Sequence, residues 1–385
     1  MAIKQDQYTD LSSVDVEKLN QFKQQITQAQ SHFLGYPCST AFNYKPLYEF
    51  LDYPLNNIGD PFRESAFRIN THQFEVEVLE RCARLYHTTL DEVWGYVTNG
   101  GTEGNMYGIY LAREMFPDAV VYYSEDTHYS VAKILRMLHA RNIMIKSQAN
   151  GEIDYDDLRE TLRIYRDSPP VIFANIGTTM KGAVDNVEVI RDILSELAIH
   201  HYYIHADAAL SGMILPFVDS PQAFDFQAGI DSISVSGHKM IGSPIPCGVV
   251  LAKKAHVERI ARSVEYIGTL DTTLSGSRNG ITPLFLWYAL QLKGEKGFKD
   301  IIQQCLDHAD YAIEQLASIN IQAWRHENSI TVVFPRLTSQ LETDWQLAVH
   351  GDCAHIIIMP HVNKGRIDCF VEDIREQFKR QDEPS

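Results

Sequence analysis

Short apolar runs alternate with amphipathic stretches between about residue 97 and residue 254. Runs that are apolar at nearly every position are typical of strands buried on both faces, as in a parallel sheet covered by helices. The predicted strands are VVYYS (120–124), IMIKSQ (143–148), PVIFANIGTT (170–179), YYIHADAA (202–209), SISVS (232–236) and CGVVLAKK (247–254). The predicted helices between them include EGNMYGIYLAREMF (103–116) and VEVIRDILSELA (187–198).

This alternation predicts an α/β fold with a mostly parallel sheet, and ligands are then expected at the ends of its strands. After Pro283, two long helical patterns (284–298 and 300–317) lead into ITVVFPRL, IIIMP and a final helix, which indicates a small α+β domain. The predicted division is therefore an N-terminal arm with helices (1–90), a large domain (91–282) and a small C-terminal domain (283–385).

Composition and charge limit the classes of partner. A net charge of -16 over 385 residues argues against nucleic acid or an anionic membrane as the main partner. The sequence has no apolar run long enough for a membrane span and no apolar signal-peptide core near its start, which predicts a cytoplasmic protein. The six cysteines are scattered without a Cys-x-x-Cys pair, so we expect free thiols and no structural zinc.

Four features at predicted strand ends or strand-to-helix junctions carry candidate chemistry. TNGGTEGN (98–105) opens a helix with glycines and a threonine, and bare N–H groups there suit a phosphate or simply cap the helix. Asp207 ends an apolar strand, where a carboxylate needs a positive partner unless it caps the next helix. Lys239 in SVSGHKMIGSP is either a solvated surface group or a desolvated nucleophile. His128 follows the strand 120–124 and is either a loop histidine or a ring that stacks on a ligand.

Together the four features provide what pyridoxal 5'-phosphate requires. Lys239 would hold the cofactor as a Schiff base, Asp207 would keep its pyridine nitrogen protonated, and His128 would stack on its ring. The catalytic residues are thus predicted to be Lys239, His128 and Asp207. The remaining cofactor contacts are predicted at Gly101, Thr102, Ala209, Ser236 and His238.

The motifs resemble the group II pyridoxal-phosphate-dependent amino acid decarboxylases, which have the aspartate aminotransferase fold (fold type I). Seven blocks carry the resemblance in order, and they look most like bacterial histidine decarboxylases: TNGGTEGN, THYSVAK, GEIDYDD, NIGTT, HADAALSGMILPF, SGHKMIGSPIPCG and GSRNG. The segments FLGYP, NNIGDPF and GDCAHIIIMP are closer to the plant serine decarboxylases of the same subfamily.

The resemblance implies decarboxylation of L-histidine to histamine, with L-serine to ethanolamine as the alternative. Ser275 favours histidine, because the serine enzymes tend to carry a methionine at that position. Tyr36 is a candidate substrate contact, and either Tyr36 or Tyr266 is a candidate acid for returning a proton to Cα. The family also implies a homodimer with shared sites, in which Ser277 and Arg278 would reach the partner's phosphate.

Other classes of site fit parts of the same sequence. SGHK has the Ser-x-x-Lys pattern of penicillin-interacting serine hydrolases, but the Lys-Thr-Gly element is missing and Ser236 ends a strand-like run instead of opening a helix. His201, His205 and Asp207 are separated by even numbers of residues, which places them on one face of a predicted strand, as ligands of a metal ion could be. However, His201 and His205 would lie ~13 Å apart along the strand, which is too far to share one ion. Transamination or desulfurisation would use the same cofactor, and a non-catalytic binding protein would not need Lys239.

Overall fold

The computed structural model describes residues 11–260, 262–264 and 269–382. Its α-helices are α1 Ser13–Ser31, α2 His72–Leu85, α3 Gly101–Met115, α4 Ser130–Met137, α5 Tyr155–Ile164, α6 Val187–Glu196, α7 Lys254–Val257, α8 Ile281–Ala317, α9 Ser339–Asp344 and α10 Lys364–Asp382. Its strands are β1 Asn56–Ile58, β2 Val93–Thr98, β3 Val120–Ser124, β4 Arg141–Ile145, β5 Pro170–Asn175, β6 Tyr203–Asp207, β7 Ser232–Ser236, β8 Gly248–Lys253, β9 Arg262–Val264, β10 Thr269–Asp271, β11 Ser277–Asn279, β12 Thr331–Pro335, β13 Ala348–His350 and β14 Cys353–Ile357.

A seven-stranded sheet in the order β2-β8-β7-β6-β5-β3-β4 forms the centre of the molecule. The pairs from β7 through β6, β5 and β3 to β4 are parallel, and only β8 runs against its neighbours. The inner strands β5, β6 and β7 are buried at every position because helices cover both faces. The predicted mostly parallel α/β sheet is therefore confirmed.

Two details differ from the sequence prediction. Strand β2 was missed; its Gly95 has no side chain to signal a strand, and a Cβ there would lie 2.1 Å from Val250 O of β8. The two C-terminal helical patterns were expected to break near residue 299, whereas the break in α8 falls at Gly294, with φ 59° and ψ -177°. Glycine adopts such a positive φ without the steric cost of a Cβ.

A three-stranded antiparallel sheet in the order β12-β14-β13 lies with α9 and α10 in the C-terminal part of the chain. Buried apolar side chains from this part and from the central sheet belong to one continuous cluster. In the part of the chain that the structure describes, no helix is both long enough and apolar enough to cross a membrane.

Helix α3 packs unusually close to the sheet because glycines occupy the face it turns to β6 and β7. A Cβ on Gly104 would lie 2.2 Å from Ser234 Oγ, and one on Gly108 would lie 2.1 Å from His205 Nδ1. Such distances leave no room for a side chain. The glycine face therefore brings the polar side chains of α3 within hydrogen-bond reach of the strand ends.

Replacing Gly108 with alanine should destabilise the fold. The new methyl group would force α3 away from the buried ring of His205, and overpacking of this kind typically costs about 1–3 kcal/mol of unfolding free energy. Gly365 in α10 provides a matched control, because a Cβ there would meet only Asn363 Oδ1 at 3.5 Å. Urea unfolding should show a lower midpoint for Gly108→Ala and no loss for Gly365→Ala; equal midpoints would contradict the tight packing.

Candidate active site

A cavity of about 860 Å³ opens at the carboxyl ends of the parallel strands and extends to the small sheet. All ten site residues predicted from the sequence line it: Tyr36, Gly101, Thr102, His128, Asp207, Ala209, Ser236, His238, Lys239 and Ser275. Tyr266, the other candidate acid, lies outside the described residues. The fold thus gathers side chains that are up to 239 positions apart in the sequence around a single space.

Asp207 is the last residue of β6 and its side chain is buried in the wall of the cavity. Its Oδ2 accepts a hydrogen bond of 2.8 Å from Asn105 Nδ2, and its Oδ1 accepts one of 3.2 Å from the Ala209 N–H. Hydrogen bonds of this kind stabilise the ionised carboxylate. Asp207 is therefore held in a fixed orientation, ready to pair with a positive group in the cavity.

Lys239 follows β7 in a turn, and its backbone carbonyl accepts a 3.1 Å hydrogen bond from the Ser39 N–H. Burial lowers the pKa of the Lys239 ammonium, while the charges of Asp207 and Cys38 oppose that effect. A lower pKa raises the fraction of neutral amine, the form that attacks carbonyl groups. The site therefore favours a nucleophilic lysine beside a carboxylate.

His128 lies in the loop between β3 and α4, and its orientation is fixed by Ser130. The Ser130 backbone N–H donates to His128 Nδ1 at 3.3 Å, and the Ser130 hydroxyl lies 2.8 Å from the same nitrogen. Because a backbone N–H only donates, Nδ1 must accept and the neutral ring carries its proton on Nε2. Burial lowers the pKa of His128, which favours this neutral ring, although Asp207 acts in the opposite direction.

The N-terminus of α3 forms one end of the cavity. Gly100 precedes the helix with φ 144°, a conformation that favours glycine, and a helix start leaves its first N–H groups without intrahelical partners. Glu103 turns back and accepts hydrogen bonds from Asn99 N at 3.0 Å and Asn99 Nδ2 at 2.6 Å. The carboxylate thereby fixes the turn before the helix, and the N–H groups of Gly101 and Thr102 remain suited to an anion.

The residues predicted to surround the phosphate lie next to this helix start. A Cβ on Gly101 would come 2.7 Å from Ser236 Oγ and 3.6 Å from the Ala209 Cβ, so only glycine leaves this cradle open. His238 Nδ1 lies 3.0 Å from Cys247 O, which can only accept, and Nδ1 therefore carries a proton. The donor set, the glycine cradle and the desolvated lysine fit a phosphorylated aldehyde cofactor.

Among the polar residues of the cavity wall that sequence reasoning did not single out are Asn105, Asn175 and His355. Asn105 is the last letter of the block TNGGTEGN and lies one helical turn after Gly101, so its helical spacing could have revealed it. Asn175 ends β5, and its amide donates to the buried Asp185 at 3.0 Å. His355 comes from β14, with Nδ1 3.0 Å from Met180 O and Nε2 3.1 Å from Gly35 O. No local pattern signals this last contact across the fold.

The structure corrects one expectation about a partner's site. Arg278 does not extend toward a partner, because it is buried within its own chain and paired with Glu75, and its Nη2 donates to Gly59 O at 3.0 Å. The buried carboxylate of Glu75 requires this charge where it is. Ser277 is exposed, and its hydroxyl accepts a 3.1 Å hydrogen bond from Asn56 Nδ2.

The structure does not favour the metal site or the Ser-x-x-Lys hydrolase site that parts of the sequence also fit. His201 precedes β6 and is exposed, whereas the ring nitrogens of His205 are used by Ser232 at 2.7 Å and Asn105 at 3.0 Å. Ser236 is the last residue of β7 instead of the first residue of a helix, which the Ser-x-x-Lys hydrolase pattern needs.

Acid should destabilise the protein partly through His205. Burial lowers the pKa of this ring to about 3, whereas in the unfolded chain it is about 6.5. Between these values the unfolded state binds a proton that the folded state does not, so the unfolding free energy falls as pH falls. From pH 7 to about pH 4.5 the loss from His205 is roughly 2–3 kcal/mol.

The non-titrating variant His205→Gln should show a correspondingly smaller loss. Urea unfolding of both proteins at the two pH values measures the difference. The same pH dependence in both would show that His205 is not the buried neutral ring that its surroundings require.

Comparison with known proteins defines the class. Residues 71–335 match the model of the pyridoxal-dependent decarboxylase conserved domain. The chain therefore belongs to the pyridoxal-dependent decarboxylase family, and the predictions of a pyridoxal phosphate cofactor and of a carboxy-lyase are confirmed.

Individual relatives are similar over nearly the whole chain. The histidine decarboxylase of Pseudomonas entomophila (strain L48) is 50% identical over 94% of this chain and 91% of its own length. The histidine decarboxylase of Mesorhizobium japonicum is 47% identical over 94% of this chain and 98% of its own length. Among solved structures, L-methionine decarboxylase from Streptomyces sp. 590, in complex with L-methionine methyl ester, superposes with a TM-score of 0.88 at 25% identity, covering 95% of each chain.

Proposed function

We propose that this protein is a pyridoxal-phosphate-dependent L-histidine decarboxylase that forms histamine and carbon dioxide. The observation that carries the proposal is the convergence of Lys239, Asp207 and His128 on one cavity beside the open helix start at Gly101. The choice of histidine is supported by curated relatives of that name at 50% and 47% identity over nearly the full chain. L-Serine, with ethanolamine as product, is the alternative substrate.

The proposed roles follow from the positions of the side chains. Bound pyridoxal phosphate supplies an electron-withdrawing ring that accepts the electrons left when the carboxylate departs from Cα. Lys239 would provide the amine that holds the cofactor through its aldehyde, and Asp207 would hold a proton at the pyridine nitrogen. The neutral ring of His128 would stack on the ring of the cofactor. The helix N-terminus at Gly101 and Thr102, with Ser236 and His238, binds the phosphate.

Two further cavity residues, Tyr36 and Ser275, are assigned to the substrate. Tyr36 lies at the rim with about half of its surface exposed (51%), where its hydroxyl could contact an incoming amino acid or return a proton to Cα. Its neighbour Gly35 is fixed by the 3.1 Å contact with His355. Ser275 lies in the segment between β10 and β11, and its hydroxyl accepts a 3.3 Å hydrogen bond from Asn99 Nδ2. Both side chains are polar and leave space in the cavity for a ring.

The proposed reaction is tested by supplying purified protein and pyridoxal phosphate with histidine, serine and methionine in separate incubations, and measuring the amine by mass spectrometry. Histamine from histidine, with a far lower rate for the other two, is the expected result. Ethanolamine as the main product would mean that the substrate is serine and not histidine. Amine from none of them, in a protein that binds the cofactor, would overturn the proposed substrates.

Replacing Ser275 with methionine should reduce turnover of histidine. The longer apolar side chain would fill space beside Asn99 and remove a hydroxyl that can bond to an imidazole ring. Loss of one hydrogen bond together with a steric conflict predicts a decrease of kcat/KM of roughly 10- to 100-fold. Ser275→Ala, which removes only the hydroxyl, should have the smaller effect. If Ser275→Met leaves kcat/KM for histidine unchanged, Ser275 does not select the substrate.

We also propose that the protein is a homodimer or larger homo-oligomer. The helix α1 exposes Leu19, Phe22 and Ile26 at i, i+3 and i+7, which places them on one face. Tyr48 and Tyr53 are exposed as well, and large apolar exposure of this kind is typical of an interface. Analytical ultracentrifugation should give at least twice the chain mass of 43.8 kDa; a stable monomer would contradict the proposal.

Two further predictions from the sequence fit this function. We propose a cytoplasmic location, which is consistent with the six cysteines being unpaired. We also propose the three-part division at 1–90, 91–282 and 283–385. The seven strands of the large sheet fall between Val93 and Lys253, and the small sheet falls between Thr331 and Ile357.

A further inference from the structure

A chain of buried hydrogen bonds extends from Asp207 into the space between α3 and the sheet. Asn105 Nδ2 donates to Asp207 Oδ2 at 2.8 Å, and Asn105 Oδ1 lies 3.0 Å from His205 Nε2. His205 Nδ1 lies 2.7 Å from the hydroxyl of Ser232. The exposed fraction is 2% for Asn105 and 0% for both His205 and Ser232. The chain of hydrogen bonds thus runs from the cavity wall at Asp207 and Asn105 into the buried interior at His205 and Ser232.

The chemistry of the four groups permits one consistent arrangement of protons. An ionised Asp207 only accepts, so Asn105 must present its amide N–H to it and its oxygen to His205. That oxygen needs a donor, which places the ring proton of His205 on Nε2. His205 Nδ1 then accepts from the hydroxyl of Ser232. Burial lowers the pKa of His205 to about 3, which keeps the ring neutral as this arrangement requires.

The close packing of α3 makes the chain possible. Asn105 lies four residues after Gly101 and three residues before Gly108, and this spacing places the three residues on one face of the helix. A Cβ on Gly108 would lie 2.1 Å from His205 Nδ1, so the helix backbone lies directly against the ring. At this separation the short side chain of Asn105 reaches both His205 and Asp207.

We propose that Asn105 is a positioning residue for the reaction, and that His205 and Ser232 fix the orientation of its amide. The inference rests on the proposed role of Asp207 as the group that holds a proton on the cofactor. A hydrogen bond donated to a carboxylate favours its ionised form. Without a fixed donor, Asp207 would be partly unsatisfied in a buried site, and its ability to pair with a positive ring nitrogen would fall.

Cofactor binding to the apoprotein tests this inference without relying on turnover. Titration with pyridoxal phosphate, followed by absorbance and by quenching of tryptophan fluorescence, gives a Kd for wild type, Asn105→Leu, His205→Leu and His205→Gln. Loss of a hydrogen bond to a charged group predicts a Kd about 10- to 100-fold higher for Asn105→Leu. His205→Leu should weaken binding in the same direction, because the amide of Asn105 is then free to rotate.

His205→Gln is the matched variant, because a glutamine amide can donate to Asn105 Oδ1 much as Nε2 does. A Kd and absorbance spectrum close to wild type for His205→Gln, with a weakened His205→Leu, is the expected result. Equal effects of the two His205 variants, or an unchanged Kd in Asn105→Leu, would overturn the inference. If His205→Leu does not fold, the Kd of Asn105→Leu compared with that of wild type decides whether Asn105 positions Asp207. Failure of wild type itself to bind the cofactor or form amine would instead overturn the proposed function.

Discussion

Replacing Lys239 with alanine is expected to abolish decarboxylation while leaving the protein folded. Lys239 is the residue that we propose reacts with the cofactor aldehyde, and burial lowers the pKa of its ammonium toward the reactive neutral form. Loss of a covalent nucleophile should lower kcat by on the order of 10³-fold or more. Steady-state amine formation with saturating pyridoxal phosphate measures the loss.

A second readout separates this role from a structural one. After borohydride reduction, wild type should carry the cofactor covalently on the peptide that contains Lys239, whereas Lys239→Ala should carry none there. Lys254→Ala is the control, because Lys254 is exposed at the start of α7 and does not line the cavity. Substantial turnover by Lys239→Ala, or reduction onto another lysine, would contradict the assignment.

Replacing Asp207 with asparagine should reduce kcat nearly as severely. The two side chains have almost the same shape, but the amide carries no charge and cannot hold a proton on a ring nitrogen. In a buried site, the loss of a charge aimed at the reacting group predicts a decrease of about 10²- to 10⁴-fold. The absorbance of bound cofactor should change as well, because the charge on the ring changes.

Asp219→Asn provides the control for this substitution, since Asp219 is exposed and pairs with Lys299 at the surface. It should retain wild-type activity. If Asp207→Asn kept more than about a tenth of the wild-type kcat, the proposed electronic role of Asp207 would be contradicted, because that role contributes well over 1.4 kcal/mol.

The mostly parallel sheet could be predicted because its strands are apolar on both faces and alternate with helices. The same pattern located Asp207, Ser236 and Lys239, because they follow or end such strands. Local sequence did not reveal β2, whose Gly95 is explained only by the backbone of β8. Nor did it reveal the break in α8 at Gly294, which depends on a positive φ.

Site residues could be predicted from the sequence where the chemistry of the side chain by itself suggests one role. Lys239 was predicted in this way, and the structure places it with Asp207 and His128 in the wall of the cavity. The role of Asn105 depends on partners 100 and 102 positions away, His205 and Asp207. The helical spacing of Asn105 from Gly101 indicates that it faces the site, but its contacts with His205 and Asp207 arise from the packing of α3 on the sheet.

The release of labelled carbon dioxide from L-histidine carrying isotope in its carboxyl group tests the central claim most directly. Wild type with pyridoxal phosphate should release the label in a one-to-one ratio with histamine, and protein without the cofactor should release none. Histidine consumed without labelled carbon dioxide would mean that another bond to Cα is broken. No release from histidine by cofactor-loaded protein would contradict the assignment of histidine as substrate.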